Sequence, residues 1–347
     1  MGDSRNRRAI NLNILHVADV LSFGGFETHI ATLLNGFINK SNNVYLIGQY
    51  IAKEMYDLLD SRIKVLEHKL DYDVYEDFIV NNNIQLLHGH PADGTGICNH
   101  LGNKLNLPVI ITYHGFYGWN HTIHKNVKNI VTVSKEVSDR LVLTDSTLIN
   151  KIKIIQNGID INKFYPMGNN VENTVLFIGR IDADKYYSIK KIISALDGLG
   201  ITLLVAGHGA YYDNLNAEKP DWVKLLGYVD KMNDVISQSN IVIATGRGVR
   251  EAMLCGKPCI SLDAYGYDGI VKDDTIGGLE YQNFSGRSEN KEPLEENIIL
   301  RDIKYLLNED IQSDIGKWSR EYALDNYDSK IFIDEHLDLY RNLIGGN

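Results

Sequence analysis

Short, predominantly apolar runs recur along the chain, separated by helix-length or loop segments. Leu12 to Val17 is the first, followed by a loop with Gly24-Gly25 and a helical pattern from about Glu27 to Phe37. Further runs lie at Val44 to Ile47, Ile84 to His88, Val109 to Thr112 and Ile130 to Val133. A second series begins at Val175 to Ile178 and continues at Thr202 to Ala206, Val223 to Leu226, Ile241 to Ala244 and Cys259 to Leu262. Strands apolar on both faces and alternating with helices predict a parallel sheet covered on each side. Two such series predict two α/β domains, over 9–165 and 166–325. The join is expected within Phe164 to Asn173, where Pro166, Gly168 and three asparagines interrupt the pattern, a short linker that permits hinge motion. From Asn326 the chain reads as a helix apolar on one face, a third segment over 326–347 that can pack on either half.

Length and composition agree with this division. A chain of 347 residues exceeds the usual size of one core. Hydrophobic content of 44% and charged content of 23% are those of a globular protein. The apolar runs fall far short of the roughly 20 residues a membrane helix needs. The N-terminal MGDSRNRR lacks the apolar core of a secretory signal and is set aside. Cys98, Cys255 and Cys259 form no C-x-x-C spacing and lie in apolar sequence, so reduced, buried thiols and a cytoplasmic location are expected. Residues 1–165 hold 16 Lys+Arg and 16 Asp+Glu, and the remainder 19 and 29, so no basic footprint for nucleic acid exists. Nine of the eleven histidines fall in the first half, which becomes relatively more cationic near pH 6.

Candidate chemistry concentrates where apolar runs end. Ile241 to Leu262 reads IVIATGRGVREAMLCGKPCISL: a strand, a Gly246-Arg247-Gly248 turn, a helix start at Val249 with Glu251 in its first turn, and a second strand. Glycines let backbone approach a ligand, free helix N-H groups favour an anion, and a carboxylate suits a ribose diol; together they suggest a nucleoside diphosphate. An ordinary βα turn is the alternative. FIGRIDADK places Arg180 and Lys185 after another strand, where α/β folds bind ligands, as phosphate contacts or as solvated surface charge. Gly207 and Gly209, in LLVAGHGA, and Gly227-Tyr228-Val229, in LLGYV, follow two more strands. In the first half IITYHGFY puts His114 at a strand end, as a ligand contact or as a turn histidine bonded to a carbonyl. His88 and His90, in LLHGHP, are less specific, and no spacing marks a metal site.

Taken in order, GGFETHI, TYHGFY, VTVSKEVSDRL, IIQNGIDINKFYP, FIGRIDADK, LLVAGHGA, LLGYV and GRGVREAMLCGKPCI resemble the retaining glycosyltransferases of family 4. The resemblance spans about Asn13 to Leu343. It implies the GT-B fold: two Rossmann-like αβα domains facing each other across a cleft, with a last helix crossing back to the N-terminal domain. It also implies roles. Gly24 and Gly25 would face acceptor and donor phosphates, and His114 would lie beside the transferred sugar. Arg180 and Lys185 would bind the diphosphate, with Glu251 on the ribose and Gly227 to Val229 near the base. His114, Arg180 and Lys185 are the catalytic candidates. Gly24, Gly25, Gly207, Gly209, Tyr228, Val229, Gly246, Arg247, Gly248, Val249 and Glu251 are the donor-binding ones.

The implied reaction moves a hexosyl- or N-acetylhexosaminyl-type sugar from a nucleoside diphosphate, UDP favoured over GDP, to a hydroxyl of a glycan or lipid-linked acceptor, as in surface polysaccharide or glycoconjugate synthesis. Configuration would be retained, with the donor as substrate, no cofactor and no metal. The family commonly carries a second glutamate eight positions before Glu251, and here that position is Ile243. Arg247 and Arg250 bring two unexpected cations to the turn, with Arg247 read either as a phosphate or charged-sugar contact or as solvent-facing. The missing glutamate admits a non-catalytic nucleotide-sugar-binding subunit as the alternative, as does a GT-B nucleotide-sugar epimerase. SFGGFE lacks G-x-G-x-x-G, which speaks against a dinucleotide oxidoreductase. His121, His124, Lys125 and Lys128 in HTIHKNVKN offer peripheral contact with anionic lipid, or a solvated helix face.

Overall fold

The apolar runs become the strands of two separate parallel sheets. The computed structural model describes residues 11–22, 24–115, 123–169, 171–263 and 266–345. The chain divides into two compact units, one of residues 1–158 with 329–347 and one of residues 159–328. The division falls before the Pro/Gly/Asn-rich stretch expected to be the linker. Ile159 and Phe164 are buried in the second unit's core, Ile159 N donates to Tyr327 O, and Arg320 Nη1 donates to Phe164 O. Those contacts outweigh the local turn composition, which marks a surface loop of the second unit.

In the first unit the strands are β1 (Asn13–Val17), β2 (Val20–Leu21), β3 (Asn43–Gly48), β4 (Tyr50–Ile51), β5 (Lys64–Glu67), β6 (Leu86–Gly89), β7 (Val109–Tyr113), β8 (Val127–Thr132) and β9 (Ile152–Ile154). Seven of them form a parallel sheet in the order β5-β3-β1-β6-β7-β8-β9, with β2 and β4 pairing apart. The chain builds outward from β1 to one side and then crosses to the other, so β1 and β6 flank the switch point. One face packs Ile14, Leu86 and Ile110 against Phe37 and Leu337, and the other packs Leu15, Leu87 and Ile111 against Tyr75 and Leu101. Helix Gly25–Asn39 contributes Leu33, Leu34 and Phe37 to the first face at helical spacing. The last helix, Ser329–Ile344, lies on the same face through Phe332, Ile333, Leu337 and Tyr340.

In the second unit the strands are β10 (Thr174–Ile178), β11 (Thr202–Ala206), β12 (Val223–Gly227), β13 (Ile241–Ala244), β14 (Cys259–Asp263) and β15 (Gly266–Ile270). The order is β12-β11-β10-β13-β14-β15, parallel except for the antiparallel β14–β15 edge pair. Here β10 and β13 flank the switch point. The apolar pattern does not show the two-residue strands β2 and β4, nor β5, β9 and β15, which are edge strands of the two large sheets; edge positions bury only one side, and β15 reads GYDGI, with two glycines.

The segment from His124 is not the helix considered above. Lys125 lies in a turn and Lys128 on β8, both exposed, and His121 falls outside the described residues. All three cysteines are free and buried. No helix among the described residues is long and apolar enough to cross a membrane.

Candidate nucleotide-sugar site

In the second unit, Arg180 and Lys185 follow β10 and Gly246 to Glu251 follow β13, on either side of the switch point, while Gly207 and Gly209 follow β11 and Tyr228 and Val229 follow β12. The turn after β13 works because Gly246 takes φ 55°, a conformation open to glycine, and its N donates to Phe284 O. Helix Arg247–Leu254 starts immediately after it. Gly248 N donates to Thr245 O, and a β-carbon at Gly248 would lie 3.1 Å from Ala244 Cβ, so this residue seats the helix on its own strand. First-turn amides of a helix lack intrahelical acceptors and carry the positive end of its dipole.

Arg247 is not turned to solvent. Its Nε donates to Glu251 Oε1 at 2.7 Å one helical turn on, and the two side chains are 12% and 11% exposed. Burial raises the Glu251 carboxyl above its ordinary pKa, and Arg247 opposes that rise. The arginine therefore orients a carboxylate that would otherwise be costly to bury. Arg250, the second unexpected cation, is not at the turn: it is fully buried, its guanidinium 4.9 Å from the Phe284 ring and 5.0 Å from the Tyr327 ring. Arg250 Nη1 donates to Asn283 Oδ1. Positions 247 and 251 lie one turn apart at the rim of the helix, and 250 meets the core, so packing against Phe284 and Tyr327 separates the two arginines. Val249 is buried in the core too, so only its backbone can meet a ligand.

Beside β10, Arg180 is exposed, with Asp182 Oδ2 3.9 Å from its Nε. Lys185, in the first turn of helix Ala183–Leu196, is largely covered, its Nζ 3.7 Å from Asp263 Oδ1. Thr245 Oγ1 donates to Asp263 Oδ2 and also lies 2.8 Å from Phe284 O. Asp268 accepts from Gly286 N, Ser288 N and Ser288 Oγ, fixing the neighbouring loop. Asp263, Thr245 and Asp268 are site neighbours that the sequence reading missed. The available signal was a run ending in aspartate, CISLD, where those of β10, β11 and β12 run into Gly179, Gly207 and Gly227.

Packing also requires glycine at Gly207 and Gly209. Gly207 has φ 147°, and a β-carbon there would sit 2.0 Å from Gly179 O; at Gly209 it would meet Ile181 O at 2.6 Å. Ile181 N donates to His208 O and Gly207 N to Gly227 O. The two glycines let the loop after β11 press on the loop that carries Arg180. Tyr228 is exposed and Val229 half-buried just past β12. Ile243 lies fully buried within β13, paired with Phe177 and Ile260, so the position aligned with the family glutamate belongs to the sheet interior.

In the first unit, Gly24 caps helix Gly25–Asn39, its carbonyl accepting from Thr28 N and Thr28 Oγ1. Glu27, in the first turn, accepts from Ser22 N and Ser22 Oγ and so ties the preceding loop to the helix. His114 follows β7, half-buried, with Nε2 3.3 Å from His90 Nδ1. Burial, with His336 nearby, lowers it to about 3, so it is a neutral imidazole. Beyond β1 and β6, Gln49 Nε2 donates to Asp19 Oδ1 and to Asp93 Oδ2, both at 2.8 Å. Burial and the neighbouring Asp93 push the Asp19 carboxyl upward.

Comparison with known proteins agrees with this architecture. Residues 23–163 match a family model described as Glycosyltransferase Family 4, and residues 172–285 match one described as Glycosyl transferases group 1. No curated protein is a significant sequence match. Among solved structures, a glycosyltransferase from Rickettsia africae ESF-5 superposes with a TM-score of 0.77 at 17% identity, covering 97% of this chain and 100% of its own. Anabaena Alr3699/HepE, solved in complex with UDP-glucose, gives 0.74 at 14% identity over 95% of this chain and 99% of its own. Sucrose-phosphate synthase from Thermosynechococcus elongatus gives 0.71 at 15% identity over 97% and 100%. With glycosyltransferase models on its two successive halves and GT-B structures matching nearly its whole length, the chain is a glycosyltransferase of the GT-B fold.

Proposed function

We propose that this glycosyltransferase moves a hexosyl- or N-acetylhexosaminyl-type sugar from a UDP-sugar to a hydroxyl of a glycan or lipid-linked acceptor, with retention of configuration, in surface polysaccharide or glycoconjugate synthesis. The observation that carries the reading is the Arg247–Glu251 pair behind a glycine-capped helix start, at the switch point that also presents Arg180 and Lys185. A pre-oriented carboxylate accepts from the two ribose hydroxyls, while the cations and helix amides receive the diphosphate. HepE, solved with UDP-glucose, supports uridine as the nucleoside.

The costly event is departure of the diphosphate as positive charge grows on the sugar. Arg180, Lys185 and the first-turn amides stabilise that separation without reorganising, in the role a metal ion serves elsewhere. Lys185 is held ready by Asp263. His114 contacts the transferred sugar. The leaving phosphate takes the acceptor's proton and the acceptor enters on the same face; trapping a glycosylated side chain would overturn that route.

The test is calorimetric binding of UDP, GDP and their common sugars, with Glu251→Ala alongside. UDP should bind more tightly than GDP, and losing two hydroxyl bonds to a buried carboxylate should weaken UDP by about 3 kcal/mol, roughly 100-fold. Unchanged UDP affinity in Glu251→Ala would refute the site. Ile243, inside the sheet, favours one second reading: a nucleotide-sugar-binding subunit without turnover, identified by binding with no sugar transfer to any acceptor.

A further inference from the structure

Six histidines meet inside the first unit. β1 and β6 pair His16 beside His88, and His90 returns to the same side two residues later. Helix Gly25–Asn39 adds His29, the last helix adds His336, and His114 follows β7. His16, His29, His88, His90 and His336 are all buried.

Their nitrogens can be accounted for one by one. His88 Nδ1 meets the Tyr340 hydroxyl and its Nε2 the Thr112 hydroxyl, so both are engaged. His16 Nδ1 lies 3.0 Å from His90 Nε2, and His90 Nδ1 lies 3.3 Å from His114 Nε2. His16, His90 and His114 therefore form a continuous chain from the core to a half-buried strand end. A neutral imidazole has one donor and one acceptor, so this chain has a direction. The inner end sets it: His16 Nε2 is buried with no hydrogen-bond partner. A stranded N-H is tolerated less well in protein interiors than an unused acceptor. His16 then carries its proton on Nδ1 and donates to His90 Nε2, and His90 donates from Nδ1 to His114 Nε2.

We propose that His16 and His90 are positioning residues that lock His114 in the Nδ1-H tautomer, making it a hydrogen-bond donor and not a base toward an oxygen of the bound ligand. The ligand part rests on the transfer reaction proposed above; the tautomer part does not. Neutrality, which the chain requires, is supplied by burial, which holds His16, His90 and His114 far below the ordinary histidine range. Among the described residues, the titratable groups around His114 are His88 on β6, His90 beyond it, His29 on the first helix and His336 on the last. Ligand atoms of His16, His88 and His90 lie within 4.8 Å of one another, a spacing a metal ion could bridge. An ion there would have to break the His16–His90 contact or the hydroxyl bonds of His88.

The experiment is long-range 1H–15N correlation on the full chain labelled with [15N]histidine, at neutral pH without ligand, with the His114 signals assigned by their loss in His114→Gln. The expected result is a protonated Nδ1 and a bare Nε2 on His114. His90→Phe should return His114 to the Nε2-H form that free imidazole prefers. His90→Asn, whose amide can donate in place of Nδ1, should restore the Nδ1-H form. Turnover should fall roughly 10-fold in His90→Phe, the value of one hydrogen bond, and recover in His90→Asn. A wild-type His114 protonated on Nε2, a tautomer indifferent to His90→Phe, or one equivalent of zinc in the purified protein would each overturn the proposal. The tautomer reads out whether or not the chain turns over UDP-sugars, so its failure is distinct from failure of the proposed function.

Discussion

Arg250 offers a test of how the second unit is held together. Its guanidinium is fully buried between Phe284 and Tyr327, with Nη1 bonded to Asn283 and with Nε and Nη2 lacking hydrogen-bond partners. Two desolvated ring contacts contribute about 1–2 kcal/mol each, and the charged hydrogen bond about 1.5–3. Against these stands the cost of burying a cation, several kcal/mol, which is why burial lowers the Arg250 pKa. The electrostatic terms largely cancel, and volume decides the outcome. Glu280, half-buried and already receiving the Tyr322 and Tyr327 hydroxyls, is not orphaned by losing the charge. Arg250→Ala therefore opens a gap between two rings and should cost about 3–4 kcal/mol, whereas Arg250→Met fills it with a sulfur that rings accept and should cost about 1.5 or less. At roughly 2.1 cal/mol/K per residue over this unit, those losses lower Tm by about 8–11 °C and about 4 °C. Trp222 and Trp318 lie in this unit and Trp119 in the other, so tryptophan fluorescence during thermal melting follows the second unit in a Trp119→Phe background, with calorimetry as the second probe. If Arg250→Met is as damaging as Arg250→Ala, the charge and not the volume holds the rings, and the cancellation argued here is wrong.

Two further outcomes are expected. Burial lowers His16 to about 3 and His336 to about 4, and takes His88 and His90 well below the ordinary value. As pH falls below about 6.5 the unfolded chain binds protons that the folded imidazoles refuse. Stability of the first unit is then full above that value and declines toward the folded pKa values, at about 1.4 kcal/mol per pH unit for each histidine. Urea denaturation followed by circular dichroism at pH 7.5, 6 and 5 checks this, and a flat profile would contradict the neutral cluster. Gly207→Ala forces a β-carbon onto Gly179 O at a φ that side chains rarely adopt, so it should destabilise the second unit by more than about 3 kcal/mol. A melting temperature within a degree or two of the parent would show that the loop after β11 yields easily.

Much of this protein is written in local pattern. Runs such as Val175–Ile178 and Ile241–Ala244 are apolar at every position, and only a strand covered on both faces needs that. Their alternation with helix-length segments fixed two parallel sheets, and Gly246 marked the turn whose positive φ favours glycine. Local pattern could not give the edge strands β5, β9 and β15, because an edge buries too little to leave a continuous run. Nor could it tell that Arg247 would hold Glu251 while Arg250, three residues on, would disappear between Phe284 and Tyr327; that depends on which arc of a short helix meets the core. Lys185 and Asp263 are separated in the sequence by three strands of the sheet, β11, β12 and β13, and His16, His90 and His336 come from three distant segments. Spacing along a chain specifies which residues share a face of one element. Register between strands, and the seating of helices on a sheet, specify which faces meet, and only the folded chain sets them.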